Sequence, residues 1–144
     1  MHAVGDDGRE YWEELLSGEA LLRLRRGEHW DAIERLVDPE FTMENFDEAP
    51  FQGPYVGYDG LRKWAEDTMD ALEDGGWWEF VESEWVGDWL VATSRVQGTW
   101  RVSGIPHDLL FFTAARSRDG RAYYSKGFLR KEDALAFARE RSAA

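Results

Sequence analysis

Hydrophobic and polar positions between Trp85 and Leu129 fall into long runs broken by three short polar clusters. Val86-Gly87-Asp88, Ser103-Gly104-Ile105-Pro106 and Ser117-Arg118-Asp119-Gly120 are those clusters. Gly supplies positive φ, Asp and Ser bond to the nearby backbone, and Pro fixes φ, so each predicts a tight turn. The segments they delimit, Trp77 to Val86, Trp89 to Val102, His107 to Arg116 and Arg121 to Leu129, are rich in Val, Thr, Trp, Phe and Tyr and predict a four-stranded meander.

Upstream the period changes. Met1 to Gly8 is polar and Gly-rich and reads as a loose tail, with a single domain from 9 to 144. Tyr11, Trp12, Leu15 and Leu16, then Leu21, Leu22 and Leu24, make a helical stripe interrupted at Ser17-Gly18, either one kinked helix or two. Gly27 stops it, and a shorter helix is predicted from Trp30 to Val37, ended by Asp38-Pro39. Phe41 to Phe46 alternates as a strand, with Phe41, Met43 and Asn45 on one face. Asp47 to Gly57 reads as a loop, and its apolar Phe51, Tyr55 and Val56 suggest that it folds over something. Asp59 is a good N-cap for a helix that buries Leu61, Trp64, Ala65, Thr68 and Leu72 and ends at Gly75-Gly76. Glu132 and Asp133 open a C-terminal helix that Arg139 and Arg141 close, as the helix dipole favours.

The third strand of the meander carries Leu109 and Phe111 on one face and Leu110 and Phe112 on the other. An antiparallel strand with one wet face alternates apolar with polar, so both faces of this sheet should be covered. The predicted helices suffice for one. The face carrying Leu110, Phe112, Ala122, Tyr124 and Phe128 is therefore expected to meet a second copy of the chain in a homodimer.

Composition narrows the function classes. The chain has 144 residues, 8 Trp, 8 Phe, 5 Tyr and a formal charge of −12. So acidic a chain is not expected to bind nucleic acid, which demands a basic patch, or an anionic membrane surface. No run approaches a membrane span, no signal-peptide h-region is visible, and a cytoplasmic location is expected. There is no Cys, and His2, His29 and His107 lie far apart, so neither a thiolate nor a clustered-histidine metal site is predicted. No cofactor motif is present.

The order of elements resembles the SnoaL-like branch of the NTF2-like superfamily. The resemblance runs from Leu21 to Phe137 and rests on several stretches. Arg26-Gly27-Glu28 and Ala32 to Phe41 look like that family's passage from helix to first strand. Gly57-Tyr58-Asp59-Gly60-Leu61-Arg62-Lys63-Trp64 looks like the start of its third helix. Val86-Gly87-Asp88 and Arg118-Asp119-Gly120-Arg121 look like its hairpin turns. The resemblance implies an α+β cone: a curved antiparallel sheet wrapped around helices, a conical cavity, and a homodimer. Activity does not follow from the fold. The family's cyclases place an acid/base Asp on the last strand and a His on the preceding one. Aligned through Asp119-Gly120, those positions fall at Gly127 and Thr113, which carry no acid/base group.

Candidate site residues follow. His107 could serve as acid or base near neutral pH, against the plainer reading of a solvated residue beside a turn. Asp108 beside it points to the opposite face, so the two form no dyad. Thr93 and Arg95 share a strand face with Trp89; Arg95 could bind a carboxylate or enolate, or form a surface ion pair. Glu44 and Asp47 flank the first strand and read better as solvated acids. Tyr55, Trp64, Trp89, Phe111 and Tyr123 form an aromatic set for a cavity, with Thr113 and Ser125 as polar groups beside them; plain core packing is the competing reading. Three functions remain open: binding of a small apolar or polycyclic molecule, cofactor-free lyase, isomerase or hydrolase chemistry through His107 or a carboxylate, and partner binding with the cavity filled by its own side chains.

Overall fold

The computed structural model describes residues 37–47, 53–70, 77–101, 104 and 106–143. The N-terminal tail, the helical segments expected before Val37, and Leu72 with Gly75-Gly76 lie outside the described residues. The described elements are strands β1 (Val37–Glu44) and β2 (Tyr55–Val56), helix α1 (Gly57–Asp70), strands β3 (Trp77–Val86), β4 (Trp89–Thr99), β5 (Pro106–Arg118) and β6 (Arg121–Phe128), and helix α2 (Lys131–Ala143). They form one curved six-stranded sheet of order β2-β1-β6-β5-β4-β3, antiparallel throughout except that β1 runs parallel to β6.

The meander forms as its turn residues predict. Gly87, Gly104, Asp119 and Gly120 all have positive φ. Asp119 and Gly120 together make the two-residue loop between β5 and β6 whose twist matches the flanking strands. Two positions depart from simple alternation. Val81 is an extra residue on β3 between the pairs Phe80 with Ser94 and Glu82 with Thr93. Tyr123 is an extra residue on β6 between the pairs Arg116 with Tyr124 and Ser117 with Ala122. A bulge changes which face the following residues occupy. Ala122, expected outside, is therefore buried with Val37 and Phe41 in the inner core.

Val37 also differs from its expected helical place. It opens β1, fully buried, and Pro39 falls where the β1–β6 register is irregular, which is where a strand tolerates a missing N–H. From Tyr55 the chain adds two strand residues to β1 and turns into α1. The helix begins at Gly57, so Asp59 lies within its first turn rather than before it. Leu61, Trp64 and Ala65, spaced three and four apart, are buried against the inner face. The Tyr55 hydroxyl donates to Asp67 at 2.8 Å and the Tyr58 hydroxyl to the Val37 carbonyl at 3.1 Å, tying α1 to β2 and β1.

The outer face carries its own core. Trp89, Val91, Phe112 and Ala114 of the sheet pack with Ala134 and Ala138 of α2. Phe137 lies 5.6 Å from Trp89, 6.3 Å from Tyr124 and 5.3 Å from Phe128, and the Arg141 guanidinium lies 4.0 Å from its ring. Phe112 and Tyr124, expected to need a second copy for cover, are thus covered by the chain's own C-terminal helix. The small Ala134 and Ala138 bring α2 close enough to do so. Leu110, 48% exposed, lies beyond this cover.

One partly buried ionic cluster joins β1 to the β5–β6 hairpin. Asp38 accepts the Glu40 N–H at 2.8 Å and the Arg118 guanidinium at 3.1 Å, while Arg118 also reaches Glu40 at 2.8 Å and lies 3.9 Å from the Tyr123 ring. The Glu40 N–H first, and then Arg118 against the opposing effect of burial, hold the Asp38 carboxyl below its ordinary value of 3.8. A lowered folded pKa stabilises the protein above the ordinary value and is lost as pH falls through the folded one. The melting temperature of Asp38→Asn is therefore expected to fall less than that of wild type when the pH is taken below about 4. Equal acid sensitivity in the two proteins, measured by calorimetry, would refute this role. For the outer core, Phe137→Ala is expected to lower unfolding free energy by about 2–4 kcal/mol in urea titrations and to red-shift Trp emission as Trp89 is uncovered.

Candidate functional site

The pairing of β4 with β5 and of β5 with β6 decides which side chains face α1. Ser94 pairs with Phe111, Ala92 with Thr113, Thr113 with Gly127, and Ala115 with Ser125. All of these share the inner face. Met43, beside Ser125 in the parallel β1–β6 pairing, and Asn45 complete it from β1. Trp64 of α1 closes it from above, its Nε1 donating to Asn45 Oδ1 at 3.3 Å.

These residues line a recess. It is narrow, with room for roughly one water. Phe111 is the reason. Its ring lies over Gly127, where an added Cβ would come within 2.4 Å of Cζ, and Phe46 packs edge-on against it at 5.6 Å. Only the missing side chain at Gly127 permits that seat.

The floor of the recess is polar in an unusual way. Ser94 and Ser125 are each 1% exposed, and neither Oγ has a hydrogen-bond partner among the described residues. Thr113, 4% exposed, stands between them on the middle strand. A buried hydroxyl without a partner is a destabilising feature of about 1–3 kcal/mol unless something else satisfies it. Ser83 Oγ and Trp89 Nε1 are also buried without partners, and neither is among the described lining residues.

The expected site residues separate into two groups. Trp64, Phe111, Thr113 and Ser125 line the recess together, and Gly127 joins Thr113 as the alignment through Asp119-Gly120 implies. Trp89 and Thr93 do not converge with them: they face outward, Trp89 in the aromatic cluster beneath α2 and Thr93 opposite Phe112. Arg95 faces outward too, its Nη2 2.6 Å from Asp108, whose carboxyl it holds below the ordinary range. Tyr55 is in the inner core, bonded to Asp67, with burial and that carboxylate pushing its phenol well above the ordinary range. Tyr123 lies beneath Arg118 at the bulge. His107 occupies β5 opposite Gly98, and its side chain lies outside the described residues.

The carboxylates near the recess are engaged elsewhere. Glu44 accepts the Tyr124 hydroxyl, whose pKa burial and then Glu44 push well up, and Asp47 pairs with Lys126 at 3.0 Å. Glu44 is the one ionisable residue among the described lining residues. Among the described residues no three His, Cys, Asp or Glu are grouped to hold a metal ion, and no helix is long and apolar enough to cross a membrane. Ser94 was missed in the sequence because its face relative to β5 depends on the pairing register, which its own strand does not reveal.

No protein-family model matches the chain, and no curated protein matches it. Solved structures do. A candidate SnoaL-like polyketide cyclase from Jannaschia sp. CCS1 superposes with a TM-score of 0.66 at 16% identity, covering 96% of this chain and 94% of that one. An NTF2-like protein of unknown function from Burkholderia pseudomallei superposes at 0.64 and 16%, covering 90% and 95%. TerC, co-crystallised with polyporic acid, superposes at 0.63 and 17%, covering 93% and 98%. At such identities the likeness concerns the fold. With its curved sheet, the helix on its inner face and these neighbours, the chain has an NTF2-like α+β fold, a curved sheet wrapped around a helix.

Proposed function

We propose that the inner face binds a small, neutral, largely apolar molecule that carries oxygen, and that it does so without catalysis. The observation that carries this reading is the pair of buried, unpartnered hydroxyls of Ser94 and Ser125 lining one recess. Hydroxyls can donate to a carbonyl or accept from a phenol, but they do not supply the proton transfers that a lyase or isomerase needs near neutral pH. The single described lining carboxylate, Glu44, already accepts a proton-bearing partner. An apolar wall with a few hydroxyls suits a polycyclic ketone or phenol better than an ion.

Binding on this reading requires the Phe111 ring to leave its seat on Gly127, because the room beside it is that of one water. That small room also favours a second reading, in which Phe111 permanently fills the cavity and the domain serves a partner. The two differ in outcome. A thermal-shift screen of aromatic ketones, lactones and phenols is expected to yield stabilising compounds; a ligand at ~100 times its dissociation constant adds ~2.7 kcal/mol, a shift of several degrees. Thr113→Leu, a smaller intrusion into the same recess, should weaken the hits at a stability cost of about 1–3 kcal/mol. No hit, or undiminished binding by Thr113→Leu, favours the filled cavity. On either reading Gly127→Ala should displace the ring and lower stability by about 1–3 kcal/mol in urea unfolding.

A further inference from the structure

The hydroxyls of the recess are not clustered. In the strand register Ser94 lies opposite Phe111, Thr113 two residues further along β5, and Ser125 opposite Ala115, two further again. Ser94, Thr113 and Ser125 therefore form a diagonal across three adjacent strands on one face. With ~3.4 Å per residue and ~4.8 Å between strands, the outer two Cα positions would stand ~17 Å apart on a flat sheet and closer on a curved one. One oxygen atom cannot bond both. Yet both Oγ atoms are buried and without a hydrogen-bond partner among the described residues, and both serines line the same recess.

Resting on the binding reading above, we infer that the recess selects an elongated, neutral ligand with an oxygen function at each end, one bonded by Ser94 and the other by Ser125. The walls between the two serines are Phe111, Trp64 and Met43, which suit a flat apolar body. The ends are serines, each able to donate and accept, so a ketone and a phenol are both admissible. A carboxylate or ammonium is not: among the described lining residues no cation and no uncommitted anion would compensate its desolvation. A ligand with one oxygen leaves one serine unpaired, and buried polar groups left unpaired are the strongest source of discrimination in such sites.

The test uses the full chain and three matched probes: 4,4′-dihydroxybiphenyl, 4-hydroxybiphenyl and biphenyl. Affinities are measured by Trp fluorescence titration for wild type, Ser94→Ala, Ser125→Ala and the double variant. The dihydroxy probe should bind wild type most tightly. Each single substitution should weaken it about three- to tenfold, and the double variant by about the product, because the sites are far enough apart to be independent. Biphenyl should bind all four proteins alike. Since neither hydroxyl has a partner among the described residues, the melting temperature without ligand should be unchanged or raised in both variants, whereas serines with a structural role would lower it. Sensitivity to only one serine, or equal affinity of the three probes, would overturn the two-ended seat while leaving the binding reading standing. Absence of binding by all three probes, alongside hits in the wider screen, would overturn it as well; absence of any hit in both would remove the binding reading itself.

Discussion

The structure depends on the pairing of β5 with its two neighbours. Once Phe111 is opposite Ser94 and Thr113 opposite Gly127, period-two alternation assigns every side chain of three strands to one face or the other. A slip of one residue would turn Phe111 and Thr113 outward and bring Phe112 and Leu110 beneath α1. The two-residue Asp119-Gly120 loop fixes the β5–β6 register, and its positive φ values are ones that few other residue pairs adopt easily. The inner recess, the outer aromatic cluster and the place of every candidate residue follow from that register.

Both faces of β5 carry apolar residues that join a core: Phe111 the inner one and Phe112 the outer one. α1 buries Leu61 and Trp64 inside; α2 lays Ala134, Ala138 and Phe137 outside. The outer core takes Trp89 and Tyr124 away from the recess, which leaves the inner face less aromatic and more hydroxylic than the composition alone suggests. The ionised residues of this acidic chain follow the same division. Arg95 with Asp108 and Lys126 with Asp47 form pairs with an exposed member at the surface, whereas Ser94, Thr113 and Ser125 stay inside. An interior floored by neutral hydroxyls avoids the desolvation that a buried charge would incur.

Much of this was legible in the sequence. The hairpin turns follow from Gly and Asp chemistry, the α1 stripe from its spacing, and the double coverage from Leu109 to Phe112. Thr113, Ser125, Trp64 and Phe111, which the strand pattern and the resemblance put on one wall, line one recess. What failed did so for identifiable reasons. Trp89, Thr93 and Arg95 follow one another with the right period, but period alone does not say which face of β4 matches the inner face of β5. Ser94, one position from each of its expected neighbours, was lost to that ambiguity. Ala122 was misplaced because the bulge at Tyr123 leaves no local mark. The outer cover was not anticipated because the sheet-facing side of α2 is built largely of alanine, whose contribution comes from close approach rather than from a visible apolar stripe. Pro39 suggests a helix end just after Val37, whereas Val37 opens β1 and Pro39 stands at an irregular point of that strand.

The proposed ligand lies on the inner face, along the line from Ser94 to Ser125, with the Phe111 ring moved from Gly127. Nuclear Overhauser contacts between a bound phenolic ligand and the protein would reveal that seat. Contacts are expected from the ligand's ring protons to the Thr113 methyl and the Met43 methyl, together with a changed ring-current shift at the Gly127 α-protons as the Phe111 ring departs. Contacts confined to the outer face, at Leu110, Phe128 or Phe137, with the Gly127 shifts unchanged, would contradict it.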